Sequence, residues 1–335
     1  MLLEKSERMF LTIVIGLLIM FVLVLVLTGP KRITDEPYKY IGKKILVITA
    51  GDFSTEIEKL NKFYNGNNEL QYDVKDYFVS SKEITPKNWN DLADIIYSNY
   101  NNYDAFIILH YPETLSYTAS SLAFMLENLS KTIIIATNAI LAVRLAQEYR
   151  LPEVVVISDF LILRGCRTKQ IKSTFISPSF PPLGKIDDSI EINKELILKS
   201  PTEPFKFLPI EPNKKIMVIK VFPSINLYDM VKDQRIFGIV LETYNEGDVP
   251  TDPNFIETLQ GLIKTGTVIV SVSQTMSIVE EKGKDNLLEK IGVIPCGGMT
   301  TESAFAKLYL IMSQLAKYDT KLVSNLMRTN MRGEI

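Results

Sequence analysis

The sequence predicts an α/β protein, two parallel-sheet domains preceded by one transmembrane helix. Three features predict it: short uncharged β-branched runs that alternate with stretches of helical period, a proline cluster that splits the alternation in two, and one long apolar run near the start.

Residues 1–9 read as a tail and 10–28 as a membrane anchor. From Phe10 to Leu27 the string FLTIVIGLLIMFVLVLVL holds no charge and no proline. At helical rise these residues make about 27 Å, enough for a thin bilayer core. A buried core helix would carry polar residues along one face, and a cleaved signal peptide would have a shorter apolar stretch and a small-x-small site. The following VLVLTGP has no such site, so the segment reads as an uncleaved single span in contact with the lipid bilayer. Lys5 and Arg8 stand on one side of it, and Lys31, Arg32, Lys39, Lys43 and Lys44 on the other, a bias that places the large part of the chain on the cytoplasmic side. Two lone cysteines agree with a reducing compartment, and the one glycosylation triplet, Asn128-Leu129-Ser130, falls at an expected helix end.

Residues 29–42 form a linker. The first domain, 43–197, is built on KILVIT (44–49), AFIILH (105–110), TIIIAT (132–137) and EVVVIS (153–158). Continuous apolar runs of this length imply strands buried on both faces, as in parallel sheets. Thr85-Pro86 supplies a cap and a first-turn proline for the helix KNWNDLADIIYSNY, and YTASSLAFMLENL (117–129) reads as another helix. Pro201, Pro204, Pro209 and Pro212 interrupt regular structure across 198–214, the linker between domains. The second domain, 215–335, repeats the alternation with KIMVIKVF (215–222), IFGIVLE (236–242), a helix from Asp252-Pro253 to Gly266, TVIVSV (267–272) and closing helices near 300–317 and 319–330.

Composition narrows the function. With 46% hydrophobic and 23% charged residues in 335, the chain is globular rather than disordered. Lys and Arg number 37 against 39 Asp and Glu, so there is no basic excess to neutralise phosphates, and nucleic acid is not an expected partner. Cys166, Cys296 and a single His110 are too few for a zinc site, and the two cysteines do not make a disulfide framework.

In open α/β sheets, ligand chemistry collects just beyond the carboxyl ends of strands. The blocks found there are ITAGDFST, LHYPETLSYTASSLAFMLENLSK, RGCRTK, SPSFPPLG, ETYNEGDVP, SVSQTMS and CGGMTTESAFAKLYLIMSQL, with NMRGEI last. In order and spacing they resemble the bacterial-type (type I) L-asparaginase family from about Lys43 to Ile335, most specifically over Tyr117–Lys131, SFPPLG and NMRGEI. The resemblance implies two asparaginase-type α/β domains, the larger first. It implies a homo-oligomer, dimer or tetramer, with sites between one subunit's first domain and a neighbour's second. The implied chemistry is hydrolysis of the asparagine side-chain amide to aspartate and ammonia by an activated threonine, through an acyl intermediate and without metal or other cofactor.

Residue by residue, the site departs from that family. Its first threonine falls on Asp52 and its second on Pro112, which has neither a hydroxyl nor a backbone N–H. Its assisting aspartate becomes Glu113. A glycine becomes Tyr111, whose side chain is expected to project into the substrate's volume. A supporting loop is shortened between Thr137 and Glu153. Other positions match: Lys169 the threonine-activating lysine, Ser81 the serine that holds the substrate α-carboxylate, and Glu302 an acidic residue offered by the neighbouring subunit, while Asp248 replaces an asparagine of that subunit's contribution.

Each residue also has a plainer role. Asp52, between a strand and a helix, suits a helix cap; its sharper roles are a general base or an ion-pair partner for Lys169. Glu113 beside Asp52 would make a like-charge pair with one raised pKa. His110 reads as a structural histidine, Thr114 and Ser116 as helix caps, and Cys166 as an inert packing residue. The leading expectation is a membrane-anchored asparaginase-like protein that has lost amidohydrolase activity and persists as a binding or structural homo-oligomer. One alternative is an active amidohydrolase in which Asp52, Glu113 and Lys169 activate water or Thr49, Ser54 or Thr55 attacks. Another is a sensor that holds an amino-acid ligand at Ser81, Glu113 and Glu302.

Overall fold

The computed structural model describes residues 44–64, 70–77, 83–232, 234–279, 287–315 and 319–335. The expected anchor, its linker and Ser81 lie outside these residues, and among the described residues no helix is long and apolar enough to cross a membrane.

The first half contains β1 (Lys44–Ala50), α1 (Ser54–Tyr64), β2 (Gln71–Tyr77), α2 (Pro86–Asn99), β3 (Ala105–His110), α3 (Pro112–Met125), β4 (Leu126–Glu127), β5 (Ile133–Ala136), α4 (Ala139–Glu148), β6 (Val154–Ser158) and β7 (Leu161–Arg164). A single 3-10 turn, Gly165–Arg167, leads to β8 (Lys169–Ile171), β9 (Thr174–Ile176), β10 (Gly184–Ile186) and β11 (Ile190–Ile192). Eight of these strands form one sheet in the order β11-β10-β7-β6-β5-β3-β1-β2. The four apolar runs read from the sequence are its centre, and β3, β5 and β6 are buried along their whole length.

The sheet is mixed, which corrects the expectation of a parallel one. Pairing is parallel from β2 to β6, then antiparallel through β7, β10 and β11. The switch occurs at Asp159-Phe160, a tight turn in which Asp159 takes φ 51° and accepts a hydrogen bond from Thr174 Oγ1 at 2.6 Å. A hairpin returns the chain at once and needs no crossover helix, so no helical period flags it in the sequence.

Helix α2 begins as expected: Pro86 takes the first position, and the Thr85 N–H donates to Asn88 Oδ1 at 2.8 Å. Trp89, Leu92, Ala93 and Ile96, one face at helical spacing, are buried. Helix α3 starts at Pro112 rather than Tyr117, because a proline at the first position loses no hydrogen bond that a helix would make. It stops at Met125, and the next two residues pair with β12 (Lys206–Phe207). The proline-rich linker is thus strapped to the first domain, with further bonds between Asn90 and Ile210 in both directions.

The second half contains β13 (Ile216–Lys220), α5 (Leu227–Val231), β14 (Gly238–Thr243), α6 (Pro253–Lys264), β15 (Val268–Ser273), α7 (Leu287–Ile291), β16 (Ile294–Pro295), α8 (Thr301–Gln314) and α9 (Thr320–Arg328). Here the four-stranded sheet, β13-β14-β15-β16, is parallel throughout. Asp252 caps α6 by accepting the Phe255 N–H at 3.1 Å. Helix α8 is buried nearly all round, because it serves two cores. Ala306, Tyr309 and Leu310 join the core of the first sheet, whereas Ala304, Leu308, Ile311 and Met312 join that of the second. The described residues therefore belong to one compact unit.

Candidate active site

Strands β1 and β3 lie side by side with Ala50 opposite His110, so the turns that follow them meet at the carboxyl edge of the sheet. Gly51 takes φ 131°, and a Cβ placed on it would lie 2.6 Å from the Tyr111 ring. The absence of a side chain at Gly51 is what lets Tyr111 lie flat across this turn. The Tyr111 hydroxyl donates to the Asp52 carbonyl at 2.6 Å, and its ring rests on Phe53 with centroids 4.7 Å apart. The Tyr111 ring is thus pinned over the backbone of the Gly51-Asp52 turn.

Asp52 takes its plainer role. Its Oδ1 accepts the Ser54 N–H at 3.1 Å and the Ser54 hydroxyl at 2.8 Å, one residue ahead of a standard cap position on α1. The Ser54 hydroxyl, then the Ser54 N–H, hold the Asp52 carboxyl below its ordinary value of 3.8. Of its sharper roles, the ion pair with Lys169 does not form: that ammonium lies 3.5 Å from Glu302 Oε2, while Asp52 Oδ1 is held by Ser54. Pro112 fills the first position of α3, and Glu113 lies exposed in that helix's first turn, where a carboxylate complements the helix dipole.

His110 is buried and fully bonded. Its Nδ1 lies 2.7 Å from the Tyr111 carbonyl and must donate to it, so in the neutral ring Nε2 accepts from the Thr118 hydroxyl at 3.0 Å, which in turn accepts from Trp89 Nε1 at 3.1 Å. Burial pushes its pKa below 6.5. Thr114 and Ser116 lie inside α3 rather than capping it, since that helix starts earlier than its sequence period indicates; Ser116 Oγ is buried without a hydrogen-bond partner. Cys166 is buried and its thiol is pushed up to about 12.

Lys169 opens β8 and reaches the second domain: its Nζ lies 3.5 Å from Glu302 Oε2, in the first turn of α8. Glu302 is thereby engaged within its own chain, where the resemblance offered it to a neighbour. Beside this pair Thr301 donates to Glu242 at 2.6 Å, and burial, with the charges of Glu302 and Glu242, pushes Tyr117 up to about 12. Asp248 is exposed in the turn after β14, where its carbonyl accepts the Tyr244 N–H at 2.8 Å.

A cavity of about 440 Å³ adjoins the Asp52 turn, lined by Asp52, Phe53, Tyr111, Thr137, Ser158 and Asp159 among others. None of Lys169, Glu302 and Asp248 lines it. Asp52, Tyr111 and Pro112 thus line this cavity together, and Lys169 and Glu302 do not. A larger cavity, about 1000 Å³, lies in the second domain between α5 and α6, near Tyr228 and Phe255 and away from all these residues. Among the described residues no cluster of His, Cys, Asp and Glu could hold a metal ion. Asp159, Glu242 and Thr301 were not singled out in the sequence. Asp159 follows β6, Glu242 lies near the end of β14 and Thr301 opens α8, and position was the only available signal.

Known proteins match over the same span. The asparaginase N-terminal family model matches residues 42–198, and that of the glutaminase/asparaginase C-terminal domain matches 215–327. L-asparaginase 1 of Escherichia coli (strain K12) is 32% identical over 286 residues, covering 77% of this chain and 82% of that protein. The 60 kDa lysophospholipase of Mus musculus is 26% identical over 279 residues, 76% of this chain and 49% of that protein. The crystal structure of L-asparaginase I from Vibrio cholerae O1 biovar eltor superposes with a TM-score of 0.80 at 27% identity, covering 88% of this chain and 99% of that one.

Proposed function

The chain belongs to the asparaginase family, and from that premise we propose that it is a membrane-anchored member that no longer hydrolyses asparagine and persists as a homo-oligomeric binding or structural protein. One observation carries this reading: where the resemblance puts two threonine hydroxyls, the chain has a locally bonded carboxylate, Asp52, and a proline, Pro112, with Tyr111 pinned between them. Acyl transfer needs a nucleophile hydrogen-bonded to its base, and proline can be neither. Loss of such a set typically costs several orders of magnitude in turnover.

The test is ammonia release from L-asparagine by the purified full chain, beside L-asparaginase 1 of Escherichia coli under the same conditions. No turnover above the uncatalysed background is expected. A rate of about 1 per second or more, the ordinary range for enzymes, overturns the proposal. A second reading, an amidohydrolase with a displaced nucleophile, draws on the Ser54 hydroxyl donating to Asp52 at 2.8 Å, a hydroxyl–carboxylate pair of catalytic form. Turnover abolished by Ser54→Ala would favour it.

Two further parts of the proposal have their own checks. The uncharged run Phe10–Leu27 supports a single span with the large domain facing the cytoplasm; release of the chain from membranes by alkaline carbonate would refute it. The match of Ser81 to a carboxylate-holding serine supports a retained amino-acid ligand. Aspartate should then raise the melting temperature, and Ser81→Ala should remove the shift.

A further inference from the structure

The segment after α9, Asn330–Ile335, runs back to both halves of the molecule. Glu334 is fully buried, as is Lys307 of α8, and the two side chains pair at 2.5 Å. The Glu334 carboxylate also accepts the N–H groups of Met331 and Arg332 at 3.0 and 2.6 Å. Lys307 spends its remaining donors on the carbonyls of Met327 and Thr329, at 2.9 and 2.6 Å. All three ammonium protons are thus matched to acceptors. These contacts tie the segment to the second domain.

Its other contacts belong to the first. The Gly333 carbonyl accepts from Arg167 Nε at 2.6 Å and Arg164 Nη1 at 3.3 Å, and Arg332 Nε donates to the Ala123 carbonyl of α3 at 3.0 Å. Gly333 takes φ 80°, and a Cβ on it would run into the Arg164 guanidinium. Both guanidiniums also lie over the Phe180 ring, at 4.7 and 4.8 Å. A buried ion pair adds little stability over a well-packed apolar one, whereas it does impose one geometry.

We propose that Asn330–Ile335 is an interdomain clasp and that Glu334 is a positioning residue: seated on Lys307, it holds α8 against the Gly165–Arg167 turn and so keeps Lys169 within reach of Glu302. Lys169 lies two residues beyond Arg167, and Glu302 lies on the helix that carries Lys307, so the clasp grips both elements that bear the pair. The proposal does not depend on whether the protein hydrolyses asparagine.

Trp89 provides the readout. It is the only tryptophan of the chain, and its buried ring meets Phe305 of α8 edge-on, 6.3 Å between centroids. In the full chain, Glu334→Gln is expected to shift Trp89 emission to the red and to raise its acrylamide quenching about threefold, with far-UV ellipticity unchanged, as in a local opening. Gly333→Ala should do the same with the Lys307–Glu334 pair left intact. Native Trp89 emission and quenching in both variants would overturn the clasp and leave Glu334 as a local brace for the end of α9. Where a variant fails to fold, native-state hydrogen exchange of the unaltered chain decides. The amides of Met331, Arg332 and Thr168 should be released together at low urea, and their release in separate steps overturns the proposal.

Discussion

In the turn after β1, polar groups are satisfied close to home: Asp52 by Ser54, and the Asp52 carbonyl by a tyrosine on the adjacent turn. Across the seam between the two sheets the partners come from distant parts of the chain: Lys169 with Glu302, and Arg164 and Arg167 with the Gly333 carbonyl. On the proposed reading, the difference is how such a site can change while its fold persists. A locally bonded turn tolerates replacement one residue at a time, because no remote group is left without its partner. A buried network does not, since each removal strands a charge or a donor in low dielectric.

The largest effect should therefore come from the buried ion pair that holds Arg164 in place at the seam. Glu153 and Arg164 are each only 4% exposed, and Glu153 also accepts the Leu198 N–H at 3.0 Å. Glu153→Gln leaves the guanidinium buried without its counter-charge and should cost about 3–5 kcal/mol, read from denaturant midpoints. A loss below about 1 kcal/mol, the size of a surface pair, would make the seam as replaceable as the turn and end the comparison.

Beneath the turn, His110 should make stability depend on pH. Its pKa in the folded protein is held below 6.5 by burial, so as pH falls the unfolded chain takes up the proton first. The contribution is complete above about pH 6.5 and lost as pH falls toward the folded value, with a slope of at most about 1.4 kcal/mol per pH unit. Midpoints at about pH 7.5 and about pH 5 should fall further in the native chain than in His110→Gln. Equal falls would assign the acid sensitivity to other groups.

The two regions were unequally legible in the sequence. The Asp52 turn could be read because its pieces sit beside strands whose apolar runs are unmistakable, and because a helix cap is local chemistry. The antiparallel extension through β7, β10 and β11 was not, because three-residue strands such as Gly184–Ile186 carry no period and the reversal at Asp159 needs no helix. Nor could the sequence show that Glu302 reaches Lys169 of its own chain, or that Glu334 is fully buried. Both depend on α8 lying between two cores, and its sequence shows only a helix apolar on most sides.

A smaller effect belongs to the lid of the turn. Tyr111→Phe keeps the ring over Gly51 and removes only the 2.6 Å bond to the Asp52 carbonyl, so about 0.5–1.5 kcal/mol should be lost. Thermal unfolding would show this as a shift of a few degrees. A larger loss would mean that the hydroxyl, rather than the stacked ring, holds the two turns together.

Asp52→Asn should have the smallest effect of all. An asparagine oxygen can still accept the Ser54 N–H and hydroxyl, so near neutral pH the melting temperature should not move. The carboxylate's own contribution is present above about 3.8, and because the Ser54 bonds lower its pKa it is lost only as pH falls through the folded value; Asp52→Asn should remove that acid dependence and nothing else. A drop at neutral pH larger than that of Tyr111→Phe would require a partner for the charge beyond Ser54. The turn would then be wired to the rest of the molecule like the seam.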